Sequence, residues 1–281
     1  MTTNRSFRFG ASLLSVGSRS AWRARAREVE DLGYDILQVA DHLGLPAPLP
    51  ALVAAADVTS IQLGTYVLNA GILSPAYLAR DIADVHRLTD GRLELGLGTG
   101  YVPAEFEAVG VPFGTGLERL RKLEATLAAT RALLDAEADK PLPRIMLAGA
   151  GKRMLRLASR EADIFSFSIA AGLTPGIRPE DALARRVQVL REAAGDRADA
   201  LELNLFVAAV GESPDKVDLT IIRQVTGLDD SVLLQLPGVL VGSSREIADR
   251  LLRYRDEFGI SYVGVLEPHM AAFAEVIELL R

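Results

Sequence analysis

The sequence of 281 residues contains no cysteine. That absence removes disulfides, thiolate metal sites and cysteine nucleophiles together, and it makes any redox role depend on a bound cofactor. Histidine is scarce: His42, His86 and His269 are the only three, they lack metal-ligand spacing, and no paired carboxylates sit on a helix face near them. A divalent metal enzyme is therefore not expected. No apolar run approaches the roughly 20 residues of a membrane helix, and MTTNRSFRFG has no apolar signal core, so a cytoplasmic location without membrane association is expected. A net charge of −6 argues against a broad nucleic-acid surface. Linker-like and low-complexity stretches are also missing. With 49% hydrophobic content, one domain spanning residues 1–281 is the expected organisation.

What the chain does contain is rhythm. Short apolar runs alternate with amphipathic helical stretches almost from end to end. FRFGASLL reads as a strand, SAWRARAREVEDLG as a helix closed by Gly33, and DILQVA as a second strand. IQLGTYVLN precedes a helix starting at Pro75, with Leu78, Ile82 and Val85 on one face. RLELGLG precedes a long helix in which Leu117, Leu120, Leu123 and Leu127 align, and RIMLAGA, DIFSFSI, LELNLFVAAV and YVGVLE supply further strands. About eight strand–helix units in a chain near ~250 residues predict an α/β fold of the (β/α)8 TIM-barrel type.

An open doubly wound sheet uses the same alternation, but its glycine-rich turn should follow the first strand, which here runs into GASLLS. GLGTG fits that fold poorly as well, because Pro103 falls inside the helix that a dinucleotide fingerprint requires. In a barrel, Leu93, Leu95 and Leu97 would face the helices while Gly96 and Gly98 face the interior. Two readings stand: the glycines leave room for a flat ring near the C-terminal mouth, with Thr99 and Gly100 at its edge, or they allow only close packing.

EDLGYDILQVADHLG, LGTYVLNAGILSPAYLARDIADVHRLTDGRLELGLGTGYVPAEFEAVGVPF, IMLAGAGKRMLRLASREADI and LVGSSREIADRLLRYRDEFGISYVGV, in this order, resemble the bacterial luciferase-like superfamily over nearly the whole chain. More closely, the sequence is similar to its branch of oxidoreductases dependent on the deazaflavin coenzyme F420. The resemblance implies a luciferase-like barrel that binds F420 or, alternatively, FMN, as a homodimer acting on a small-molecule or peptide-like substrate.

Carried onto this sequence, the resemblance marks four places. Asp41 and His42, at the end of the second strand, stand where relatives keep polar groups beside the reactive ring. His42 suits proton exchange near neutral pH and Asp41 would position it, although a structural hydrogen bond within ADHLG also accounts for the pair. Tyr66 and Val67 fall where relatives have a bulge, often with a non-prolyl cis peptide, beneath the cofactor. Gly149, Ala150, Gly151, Lys152 and Arg153 form a strand, a turn and a helix start, where free N–H groups and adjacent cations suit a phosphate. Thr99, Gly100 and Tyr101 would line the cofactor, but Tyr101 and Val102 replace the Trp-Asn frequent in relatives. Glu105 reads as a cap or a loop anchor without a catalytic role, and His86 and His269 as helix or surface residues.

The chain is short between Asp41 and Leu52 and between Leu134 and Arg144, where relatives carry longer loops. Shortened lid loops imply an open site, and with it either a bulky natural-product or peptide substrate or help from a partner chain. The leading function is hydride transfer between F420 and an organic substrate. The alternatives are a monooxygenase using reduced FMN and a non-catalytic flavin-binding protein.

Overall fold

The computed structural model describes residues 5–135, 142–169, 173–174 and 176–281. It divides into two compact units: Met1–Ser12, Asp31–Asp35 and Ala148–Arg281 form one, and Leu13–Glu30 with Ile36–Leu147 the other. The expected shortening between Leu134 and Arg144 falls largely on residues 136–141, outside the described residues.

In the unit centred on residues 36–147, four strands alternate with five helices: α1 (Arg19–Asp31), β2 (Ile36–Val39), α2 (Pro48–Ala56), β3 (Gln62–Thr65), β4 (Leu68–Asn69), α3 (Pro75–Leu88), β5 (Leu93–Gly98), α4 (Pro103–Ala108) and α5 (Gly116–Asp135). α1 stops before Gly33, whose φ of +83° is a conformation that favours glycine and ends the helix. Helices α2, α3 and α4 each begin with proline, which lacks the N–H that a first turn leaves unpaired. Leu78, Ile82 and Val85 are buried along α3, as are Leu120, Leu123 and Leu127 along α5, so the helical period read from sequence sets the packing faces. The Trp22 indole N–H donates to the Ala51 carbonyl at 2.9 Å, joining α1 to α2 in the core. Arg92 donates to the carbonyls of Ala56 (2.9 Å) and Thr59 (2.6 Å), satisfying chain ends that would otherwise lack partners.

The other unit begins with β1 (Arg8–Leu13) and, after β6 (Arg144–Gly149), continues through α6 (Lys152–Glu161), β7 (Ile164–Phe167), α7 (Pro179–Ala194) and β8 (Glu202–Val207). It ends with α10 (Ser244–Phe258), β11 (Ile260–Leu266) and α11 (Met270–Leu280). LELNLFVAAV, read as one strand, is split at Ala208 into β8 and β9 (Ala209–Gly211), which pairs in parallel with β10 (Val239–Val241). Between them α8 (Thr220–Thr226) and α9 (Asp230–Leu233) bury Ile222 and Leu233 in a small apolar cluster with Leu219 and Leu236. Glu202 is buried and accepts from Arg8 at 2.6 Å, and the Ser166 hydroxyl donates to Asn204 Oδ1 at 2.8 Å.

The parallel strand order is β3-β2-β1-β11-β8-β7-β6-β5-β4, with β3 also paired to β5. This order, strand after strand with a helix between, is that of a (β/α)8 barrel, the fold class read from the alternation.

Candidate active site

Asp41 and His42 follow β2 after Ala40, where the chain leaves the C-terminal end of the strand, the end at which barrel enzymes place their chemistry. The Asp41 carboxylate accepts the Asn69 backbone N–H at 2.8 Å, and Asn69 Oδ1 in turn accepts the Gly71 N–H at 3.0 Å. These two bonds tie the end of β2 to β4 and the loop after it. The Lys122 ammonium pins the same loop by donating to the Gly71 carbonyl at 2.9 Å. Burial raises the Asp41 pKa above the ordinary carboxylate value, and the charge of Glu105 adds to this, while the Asn69 N–H and His42 oppose it.

The carboxylate that holds His42 is a different one. His42 Nδ1 lies 2.8 Å from Glu105 Oε1, the third residue of α4, and the Leu43 N–H donates to the same oxygen at 3.2 Å. The Glu105 side chain is only 12% exposed and that of His42 32%. On the other side of the ring, the Tyr101 hydroxyl lies 3.3 Å from His42 Nε2, with the two rings edge to face. Partial burial of the phenol, then the charge of Glu105, raise the Tyr101 pKa. The role expected for Asp41 as the residue bonded to His42 is thus filled by Glu105, because α4 turns back over the end of β2. A glutamate three residues past the N-cap usually bonds its own helix start, so the sequence carried no signal for this longer reach.

The Tyr66–Val67 peptide is cis, as the resemblance implies, and it separates β3 from β4. The space beside Gly96 and Gly98 is filled by the chain itself. A Cβ at Gly96 would meet the Thr65 carbonyl oxygen at 2.0 Å, and one at Gly98 would meet Val67 Cγ2 at 2.8 Å. The close-packing reading holds at these two positions, where neighbouring backbone and a valine side chain occupy the volume that a side chain would take. Gly100, with φ +73°, packs in the same manner against the Asn69 amide. Thr99 and Gly100 are half-buried, whereas Tyr101 is 62% exposed.

A groove of about 710 Å³ runs from Asp41 and His42 between the chain segment 43–50 and α3, with Leu45, Pro48, Leu73 and Leu78 among its walls. His86 and His269, read as helix or surface residues, are both buried, His86 on α3 and His269 in the turn before α11. Among the described residues no cluster of metal-ligating side chains occurs, and no helix is long and apolar enough to cross a membrane.

In the unit that contains it, α6 begins at Lys152, as read from sequence, with Gly151 as N-cap and no side-chain acceptor on its first amides. A Cβ at Gly151 would meet nothing within 4 Å, whereas one at Gly149 would meet Met154 Cγ at 2.9 Å. Gly149 therefore serves helix packing, and Gly151 leaves the helix start open. Lys152 and Arg153 are exposed and make no ion pair with a described residue. This donor set, uncapped amides at the positive end of a helix dipole with two cations beside them, fits a phosphate.

A family model described as luciferase-like monooxygenase matches residues 5–229. The chain belongs to that family. It is 26% identical over 226 residues to an F420-dependent glucose-6-phosphate dehydrogenase of Kineococcus radiotolerans, covering 65% of this chain and 67% of that protein. Against other curated relatives the matched region spans about half of their length. Solved structures share the fold at low identity, two of them as follows. The coenzyme F420 dependent tetrahydromethanopterin reductase of Methanopyrus kandleri has a TM-score of 0.72 at 16% identity, covering 98% of this chain and 97% of that one. The EDTA monooxygenase of Chelativorans sp. BNC1 has a TM-score of 0.74 at 16% identity, covering 98% and 93%. The chain is thus similar to a curated relative named for F420 and shares its fold with structures named as an F420 dependent reductase and as a monooxygenase.

Proposed function

We propose that the protein is an oxidoreductase that transfers a hydride between coenzyme F420 and an organic substrate, with His42 exchanging the accompanying proton. The observation that carries this reading is the imidazole held by a largely buried carboxylate, with its second nitrogen turned toward an exposed hydroxyl. Such an arrangement fixes one tautomer and leaves the other nitrogen for proton transfer. The F420-dependent relative supports the choice of coenzyme. When bound, a deazaflavin supplies two-electron hydride chemistry and the protein supplies orientation and electrostatics.

Asp41 organises the site from behind, through Asn69. Tyr66, Val67, Thr99, Gly100 and Tyr101 are proposed to line the ring. Gly149, Ala150, Gly151, Lys152 and Arg153 are proposed to hold a phosphate through uncapped amides and charge. The groove beside His42 suits a bulky, largely apolar substrate, and its volume lies within the range of small-molecule sites. The homodimer implied by the family resemblance belongs to the same reading.

A parallel anaerobic titration with F420 and FMN, each oxidised and reduced, tests the coenzyme. Selective binding of F420 with a Kd on the order of 1 μM, about −8 kcal/mol, is expected. Preference for reduced FMN would replace hydride transfer with oxygen chemistry, and binding of neither would overturn the cofactor roles.

A further inference from the structure

We propose that Tyr101, His42 and Glu105 form a proton relay in which the Tyr101 phenol meets the substrate oxygen, His42 stores the proton, and Glu105 is a positioning residue that sets the imidazole tautomer. This rests on the hydride-transfer reading above. The geometry assigns the direction of each bond. An ionised carboxylate can only accept, so His42 Nδ1 carries the hydrogen that bridges the 2.8 Å to Glu105 Oε1. In the neutral ring Nε2 is then an acceptor, and the hydrogen bond at 3.3 Å is donated by the Tyr101 hydroxyl.

The imidazole is thus occupied at both nitrogens. Tyr101 is an exposed residue, and its phenol oxygen, having donated its hydrogen to His42, keeps lone pairs that can accept from a substrate. Glu105 does not depend on His42 for its own placement, because the Leu43 N–H also donates to Oε1 at 3.2 Å. The bond from Leu43 keeps Oε1 in place at Nδ1 of the ring. The raised pKa of Tyr101 keeps the phenol protonated, which suits a group that passes a proton on rather than one that stores a negative charge.

For oxidation of an alcohol the step balances as follows. The substrate C–H bond breaks and its electron pair leaves as hydride to the oxidised deazaflavin. The substrate O–H bond breaks, and its proton forms a new O–H bond on Tyr101. The original Tyr101 proton forms an N–H bond at His42 Nε2, and the carbonyl C=O bond forms. Glu105 faces the resulting imidazolium. Reduction of a carbonyl runs the same transfers in reverse.

Two measurements test the relay, one of them independent of the coenzyme. In the cofactor-free protein, ¹⁵N NMR of the histidine rings, with His42 assigned by its loss in His42→Gln, is expected to show neutral His42 as the Nδ1–H tautomer. Glu105→Ala is expected to populate the Nε2–H tautomer, and Tyr101→Phe to keep Nδ1–H while shifting the Nε2 resonance. An Nε2–H tautomer in the wild-type protein would overturn the relay whatever the coenzyme. In single turnover with F420, Tyr101→Phe is expected to slow hydride transfer about 100-fold with coenzyme affinity nearly unchanged; an unchanged rate would overturn the role of the phenol. Failure of F420 to bind would instead overturn the hydride-transfer reading, while the tautomer would still decide the relay's geometry.

Discussion

His42 Nδ1 and Glu105 Oε1 lie 2.8 Å apart although 63 positions separate them in the chain. One sits at the end of β2 and the other on α4, so the pair exists only because the two elements meet. Replacing His42 by Gln removes the imidazole while keeping a side chain of similar reach. Turnover with F420 is expected to fall by about 10²- to 10⁴-fold with little change in coenzyme affinity or Tm. Stopped-flow kinetics beside a binding titration check this, and a loss of less than tenfold would count against His42 as the proton-exchanging group.

Gly96 and Gly98 make a second, purely structural prediction. Both Gly96→Ala and Gly98→Ala overpack the strand and are expected to destabilise by about 1 to 3 kcal/mol or more. Their rescue differs. The added methyl at 98 meets the side chain of Val67, so Val67→Ala should restore much of the loss, whereas the methyl at 96 also meets the Thr65 carbonyl, which no side-chain change removes. Urea denaturation of the three single variants and the two double variants reads the difference, and equal rescue at both positions would contradict this packing.

Lys152 stands at the open start of α6 without an ion-pair partner among the described residues. If it faces a phosphate, Lys152→Ala is expected to weaken F420 binding by about 1 to 3 kcal/mol. The loss should shrink as salt concentration rises, because an exposed charge is screened. Isothermal titration at low and high salt measures both effects, and unchanged affinity removes the assignment.

His269 predicts a pH dependence. Burial lowers its pKa from the ordinary 6.5, while the charge of Asp218 and a hydrogen bond with the Val210 backbone pull the other way. The unfolded chain takes up a proton on this side chain near 6.5 and the folded chain only at lower pH. The stability linked to His269 is therefore fully present above 6.5 and is lost as pH falls from there through the depressed folded value. His269→Gln is expected to flatten the stability curve in that window, which chemical denaturation at a series of pH values between about 5 and 7.5 would register. A slope that persists in the variant would place the dependence elsewhere.

How much of this was legible beforehand depends on the range of the physics involved. The alternation of strand and helix, the end of α1 at Gly33, the proline start of α3, the apolar faces of α3 and α5, and the start of α6 after Gly151 are all local: periodicity, caps and backbone freedom act over a few residues. These sufficed to set the barrel class, and motif order placed the chain in its family. Tertiary structure decided what those local signals leave open. It put Glu105 rather than Asp41 against His42, joined Asp41 to Asn69, filled the space beside Gly96 and Gly98 with Thr65 and Val67, and buried His86 and His269. Each of these depends on which strand lies beside which and in what register, and on how a helix folds back over a strand end. Such pairings join positions far apart in the chain, and the periodicity of either segment alone carries no record of its partner.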